Sequence, residues 1–455
     1  MVSRAPSVQP PRRRGLSTPG LVAATFFMVS GGPYGLESLV GAAGYRGALA
    51  ALVLTPLVWS LPTALMVAEL ASALPEDGGY YVWVRRALGP FWGFQGAWLS
   101  LLASVFDMAI YPTLFVAYLG KLWPPAAGPF GPAVGAALIA ACTFANLGGA
   151  RAVGRASLAL AAPLLAPFAV FVALAFAGAP GAPAAGPGSG GEGGGLLAAM
   201  TVAMWNYMGW DNSSTLAGEV RDPRRAYPRA LLVTMALAAA TYVAPVLAAS
   251  RAGLDARLFA TGAWADAGGA IGGPWLRTAI VVGGMACGAG MFNALVLSYS
   301  RLPFALARDG FLPAAFAEVD PRTGTPRKAV VACAIAYTAC LGLGFERLVE
   351  LDVALYGGSL VLEFVALVVL RLREPGLARP FQVPGGLAGA VLVGVGPAAL
   401  LALALSRGEG AGSLALGAGL FSLGPLAYGL HWAAQRALPR SRRPWTQSPG
   451  EGKAP

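Results

Sequence analysis

The chain has 455 residues, of which 56% are hydrophobic and only 12% charged, and its mean hydropathy is +0.63. Soluble domains carry roughly 25% charged residues, so the length does not count soluble domains here. The net charge of +11 does not mark nucleic-acid binding, because the basic residues sit in short segments between apolar runs.

Residues 1–18 form a basic tail containing Arg12, Arg13 and Arg14. No small-residue cleavage site follows, so the tail reads as a retained cytoplasmic segment rather than a signal peptide. Apolar stretches of membrane-crossing length then recur along the chain. The first five lie at about 19–44, 47–74, 91–120, 130–147 and 155–177. Five more lie at about 195–217, 228–250, 274–304, 328–345 and 350–371, and two at 383–405 and 412–434. Gly78–Leu88, carrying Tyr80, Tyr81 and Trp83, reads as a short interfacial helix. Ala179–Gly195 is rich in Gly and Pro. It neither follows a strand nor carries a Lys-Ser/Thr pair, so it reads as an outer loop and not a phosphate loop. A second basic tail closes the chain at 435–455. The expectation is an all-α integral membrane protein of about twelve helices.

With the N-terminus inside, 25 of the 32 Lys and Arg residues fall on the cytoplasmic side of these spans and 7 outside. Lys and Arg accumulate on that side of helical membrane proteins, so both termini are expected in the cytoplasm of a plasma or inner membrane.

Two spans are interrupted. In the first, Ser30-Gly31-Gly32-Pro33-Tyr34-Gly35-Leu36-Glu37 places three glycines and a proline in the middle of an apolar run. Proline lacks the N–H a helix needs and glycine weakens it, so the helix breaks there. Freed backbone at membrane depth is tolerated only against protein, water or a ligand. In the sixth span, Trp205-Asn206-Tyr207-Met208-Gly209-Trp210-Asp211 sets polar groups between apolar flanks. The two breaks lie five spans apart. An odd separation inverts one half relative to the other, giving repeats at 19–177 and 195–371 with two additional helices at 383–434. Paired broken helices in inverted halves point to a transporter site near the bilayer midplane.

Five acids lie within or at the ends of the spans. Glu37 either meets a substrate cation or a coupled proton, or caps the second half-helix through its dipole. Asp107, one turn before Tyr111 and Pro112, faces a cavity or a buried partner. Asp211 opens the second half of the sixth span, where capping and gating compete with ligand contact. Glu69 sits near the cytoplasmic end of the second span and is expected to pair with a loop arginine. Glu363 carries a similar structural or gating expectation. Tyr34, Trp205, Tyr207 and Trp210 flank the breaks, and cation–π contact with them suits an ammonium group. A buried carboxylate binds a proton unless a cation compensates it, so Glu37 and Asp107 are candidates to trade a proton for an amine.

At these residues the chain resembles the amino acid–polyamine–organocation permeases, over roughly 20–430. The matching stretches are Gly31-Gly32-Pro33-Tyr34-Gly35 with Glu37, Ala68-Glu69-Leu70-Ala71, Pro75-Glu76-Asp77-Gly78-Gly79-Tyr80 and Gly89-Pro90-Phe91-Trp92-Gly93-Phe94-Gln95. Asp107 with Tyr111-Pro112, Trp205-Asn206 with Trp210-Asp211, and Ser214 to Val220 continue the pattern, which Ser300-Arg301 and Ala307-Arg308-Asp309-Gly310 complete. The chain is similar to the polyamine uptake subgroup, itself similar to L-type amino-acid permeases. It departs from that subgroup at Ser38, where a second acid is usual, and at Met108, where asparagine is usual. The resemblance implies two inverted five-helix repeats plus two helices, and alternating access. It also implies a substrate between the broken spans, with Gly31, Gly32, Tyr34, Gly35, Glu37, Asp107, Tyr111, Trp205, Asn206, Tyr207 and Trp210 around it.

The leading expectation is a secondary transporter of polyamines or amino acids, with proton coupling an open possibility. A neutral amino-acid permease, using backbone N–H groups near Gly31–Gly35 to hold a carboxylate, is the alternative. A channel or sensor is more remote. No metal-ligand cluster or nucleophile–base pair lies in the spans, so neither an enzyme nor a metal or cofactor is expected. Cys142, Cys287, Cys333 and Cys340 lack metal-ligand spacing and read as packing residues. His431, near the end of the last span, reads likewise.

Overall fold

The computed structural model describes residues 17–76, 79–148, 150–178, 194–214, 220–407 and 411–437. Both basic tails beyond these bounds, Asp77 and Gly78, residues 179–193 of the Gly- and Pro-rich loop, and Thr215–Glu219 of the Ser214–Val220 motif lie outside the described residues. Within them the regular structure is helical and no strand occurs.

Helix α1 (Thr18–Val29) starts at Ser17, whose hydroxyl accepts from Gly20 N at 3.4 Å, with a proline in the first turn. It ends at Ser30. Helix α2 (Glu37–Thr55) begins seven residues later, so the first expected span is two half-helices. Inside α2 the backbone turns at Gly44 (φ 64°, ψ 177°), a conformation glycine reaches without a Cβ clash. The first two spans therefore meet at a single residue, and α3 (Leu61–Ala73) completes the second. Helix α4 (Tyr80–Leu88) occupies the expected interfacial segment. Its Trp83 is fully buried and Tyr80 and Tyr81 nearly so, which turns its aromatic face to protein.

The third to fifth expected spans are α5 (Pro90–Gly120), α6 (Gly131–Leu147) and α7 (Ala150–Ala177). Helix α8 (Gly194–Asn206) stops where the second break was expected; Tyr207–Trp210 is non-helical, and one tight turn follows over Asp211–Ser214. Helix α9 (Pro223–Arg251) is the seventh span. Helix α10 (Ala263–Gly272) is short and precedes α11 (Pro274–Tyr299), the eighth, which α12 (Arg301–Arg308) extends. The rest are α13 (Arg327–Ala339), α14 (Phe345–Arg373), α15 (Gly386–Arg407) and α16 (Ala411–Ala437). Six helical segments among the described residues have the length and apolarity to cross a membrane, with three shorter apolar helices beside them.

At the centre α5 packs against α11 and α14, and α11 packs against α7. Helix α3 packs on α9 and α6 on α13. Numbered as spans, the third meets the tenth as the eighth meets the fifth, and exchanging each span with the one five places on leaves these pairings unchanged. Close approach depends on small residues along α11. A β-carbon on Gly283 would lie 2.0 Å from Tyr34 Oη, one on Gly284 2.4 Å from the Tyr118 ring, and one on Gly288 2.6 Å from the Tyr111 carbonyl oxygen. Gly284→Val should therefore force Tyr118 out of place at a cost of about 1–3 kcal/mol. Thermal unfolding of the detergent-purified protein should show a lowered midpoint; an unchanged midpoint would contradict this packing.

Candidate functional site

The first break is held open by contacts from other elements. Gly32 (φ 72°) and Gly35 (φ 91°) adopt left-handed backbone. The Cys287 thiol donates to Gly31 O at 3.1 Å, and Trp264 Nε1 donates to Pro33 O at 2.9 Å. Glu37, fully buried, accepts from Gly35 N at 2.7 Å, from Gly262 N at 3.2 Å and from the Tyr118 hydroxyl. Its two oxygens thus tie the start of α2 to the turn before α10 and to α5.

The second break is built in the same way. Tyr242 Oη donates to Asn206 O at 2.8 Å, Trp210 Nε1 to Tyr207 O at 2.8 Å, and Tyr207 Oη to Leu52 O at 3.0 Å. Tyr356 on α14 accepts from Gly209 N at 3.2 Å and donates to Asp211. The breaks touch each other. A β-carbon on Gly209 would lie 3.0 Å from Met28 O, and one on Gly35 would lie 2.9 Å from the Trp205 ring.

Between the breaks lies a cavity of about 30 Å³, enough to admit water. Gly31, Tyr34, Asp107, Tyr111, Trp205 and Asn206 line it, with Met28, Met208, Cys287, Met291, Tyr299 and Tyr356. Asp107 is the sole carboxylate in that lining and is 6% exposed. Oδ1 accepts from Trp205 Nε1 and Tyr111 Oη, both at 3.2 Å, and Oδ2 accepts from Tyr299 Oη at 3.0 Å. All three donors are neutral. Among the described residues no Lys or Arg lies in ion-pair range of it. A carboxyl group met only by neutral donors in an aromatic-walled, methionine-lined space has the chemistry to receive a cation.

Comparison with known proteins decides the family. The model of the amino acid permease family matches residues 22–408, most of the chain. This protein belongs to the amino acid permease family. The permease is 36% identical over 389 residues to the polyamine transporter RMV1 of Arabidopsis thaliana, covering 85% of this chain and 79% of that one. It is 37% identical over 424 residues to the polyamine transporter PUT1 of Oryza sativa subsp. japonica, covering 92% and 78%. An uncharacterized transporter of Mycobacterium tuberculosis is 29% identical over 447 residues, covering 92% and 94%. The permease is thus a membrane transporter and not an enzyme.

Of the residues expected around a substrate, Gly31, Tyr34, Asp107, Tyr111, Trp205 and Asn206 of the permease line the cavity. Gly32, Gly35, Glu37, Tyr207 and Trp210 lie outside that lining. Gly32 and Gly35 shape the break, Glu37 is taken up by its three donors, and the Tyr207 and Trp210 side chains turn to backbone carbonyls. Asp211 accepts from Tyr356 just behind the cavity wall. Glu69 pairs with Arg371 and, at 3.4 Å, with Arg379, and accepts from Val383 N at 2.7 Å. Nearby, Arg85 meets Asp309 at 2.5 Å, and Arg86 meets Glu374 at 2.7 Å. By hydrogen bonding to it, Arg86 holds the Glu374 carboxyl below its ordinary range. Glu363 is buried with Oε2 unpartnered.

Sequence reasoning missed Tyr118, Tyr299, Tyr356, Cys287 and Asp352. One signal was available for Tyr118, which stands eleven residues (three turns) after Asp107 and so on the same face of α5. Cys287, expected only to pack, both lines the cavity and bonds the first break. A Glu37→Gln substitution sets an amide N–H₂ against one of the donors that Glu37 accepts from. Leaving that buried group unpaired costs about 1–3 kcal/mol. The variant should unfold at lower temperature in detergent by differential scanning fluorimetry, and an unshifted transition would show that this carboxylate does not hold the break.

Proposed function

We propose that the permease is a secondary carrier whose substrate is a small organic cation, with polyamines foremost, held at Asp107. The observation that carries this is the buried Asp107 carboxylate, bonded among the described residues to Trp205, Tyr111 and Tyr299 alone. An ammonium group entering the cavity completes that charge and gains cation–π contact from the surrounding rings. Relatives 36% and 37% identical that are named polyamine transporters support the same substrate class.

The breaks pack directly on each other, Gly35 against Trp205 and Gly209 against Met28, so substrate passage requires the broken helices to part. Repeats at 19–177 and 195–371, inverted and rocking against each other, supply that motion. The pairing of the third span with the tenth and the fifth with the eighth supports this division. The excess of Lys and Arg on one side of the spans supports cytoplasmic termini in a plasma or inner membrane. The Glu69–Arg371–Arg379 cluster and the Arg85–Asp309 pair lie at that end and act as its closing contacts. A proton gradient is the proposed driving force.

A neutral amino-acid substrate is the second reading. It rests on the family itself and on the freed backbone of Gly31, which faces the cavity beside Asp107. Uptake of radiolabelled putrescine, spermidine, arginine and leucine into proteoliposomes, with and without a proton gradient, separates the two. Putrescine or spermidine uptake should dominate. Asp107→Asn, which removes the charge and keeps the shape, should weaken amine uptake roughly 10- to 100-fold, the value of one charge-assisted bond. Preferential leucine uptake that survives Asp107→Asn would overturn the cation reading.

A further inference from the structure

One face of α14 carries polar groups at Asp352, Tyr356, Ser359 and Glu363, spaced i, i+4, i+7 and i+11. That spacing keeps all four on one side of a helix over three turns. All four are buried in an otherwise apolar interior, each with at most 7% exposure. The middle pair is bonded. Tyr356 donates to Asp211, and Ser359 lies 2.8 Å from Ser100 Oγ and donates to Gly96 O at 3.2 Å. The end pair is not: Asp352 Oδ2 and Glu363 Oε2 are buried with no hydrogen-bond partner among the described residues.

Among the described residues, the groups around this face supply no compensating charge. From α5, Asp107 and Tyr111 face Asp352; from the second break comes Asp211, and from α11 Tyr299. Around Glu363 stand Asp211, Tyr356 and, from α4, Tyr80. Helix α3 packs on α14 with Glu69, which Arg371 and Arg379 already hold. Helix α15 offers no ionisable side chain before Arg407. On α16, Tyr428 packs against Phe91 and Phe94, and His431 against Phe311. An ionised carboxylate with anionic neighbours and no donor is not tolerated in such a place; the neutral acid is.

We propose that Asp352 is the proton-binding site of the carrier, separate from the cation site at Asp107, with Glu363 linking it toward the Arg371 end of α14. The step is simple. The Asp352 carboxylate takes one proton from water reaching the α14–α5 seam in an open state, and the neutral carboxyl lets that seam close. Reopening to the other side returns the proton to water. Asp107 stays ionised for the amine, so two adjacent acids divide the roles of proton and cation. This rests on the carrier reading above for its coupling, but the site itself is defined without a substrate.

Two measurements test it on the full chain. Infrared spectra of the detergent-purified protein at neutral pH should contain a protonated-carboxyl band that Asp352→Asn removes. In proteoliposomes, Asp352→Asn should abolish putrescine accumulation driven by a proton gradient and flatten its pH profile, with putrescine counterflow still measurable. Asp352→Glu should restore the pH profile. An unaltered infrared band, or gradient-driven accumulation retained by Asp352→Asn, would overturn the proposal. Should the wild type move neither putrescine nor leucine while the band difference holds, the carrier reading fails and the proton site stands.

Discussion

A carboxylate inside a membrane protein has three ways to be stable: a cation, a proton, or enough donors. Among the described residues the chain buries six acids: Glu37, Glu69, Asp107, Asp211, Asp352 and Glu363. They divide by how each is satisfied. Glu69 has two arginines and ties α3 to the end of α14. Glu37 has three donors and fixes the geometry of the first break, and Asp211 accepts from Tyr356 at the second. Asp107 has three neutral donors and a cavity beside it. Asp352 and Glu363 each keep an oxygen with nothing. On the proposed readings, structure, cation recognition and proton handling separate along that sequence of environments.

The two helix breaks make this division possible. A continuous helix at Ser30–Leu36 would satisfy its own backbone and leave no room between α1, α5 and α11. With Gly32 and Gly35 in left-handed backbone, the chain instead offers carbonyls to Cys287 and Trp264 and brings Gly35 against Trp205. That contact sets Trp205 where its indole N–H reaches Asp107. The glycines of α11 let Tyr34, Tyr118 and Tyr111 approach from the other side. Aromatic walls and one carboxylate follow from close backbone packing.

Much of the fold was legible because hydrocarbon leaves few alternatives. Within the described residues each expected apolar span contains helix, and both breaks fall where Gly, Pro and polar residues interrupt apolar runs. Boundaries were less legible. The tenth span was expected over 350–371, with Asp352 inside it but not counted among the acids of the spans. In fact α14 begins at Phe345, which carries Asp352 two turns into the interior while Glu346 stays exposed. The tyrosines were hidden for a different reason. In a membrane protein an aromatic residue is unremarked by composition, and only the meeting of α5, α11 and α14 shows which hydroxyls reach Asp107 and Asp211. Glu37 drew attention through its place beside the break; that same place gives it backbone donors.

The central claim is that Asp107 receives the amine. The most direct measurement is an experimental structure of the permease with putrescine bound. A terminal nitrogen should lie about 3 Å from an Asp107 oxygen, with Trp205 and Tyr299 around it and the two half-helices parted. A diamine seated instead on Glu37, with Asp107 still bonded only to its three neutral donors, would contradict the account.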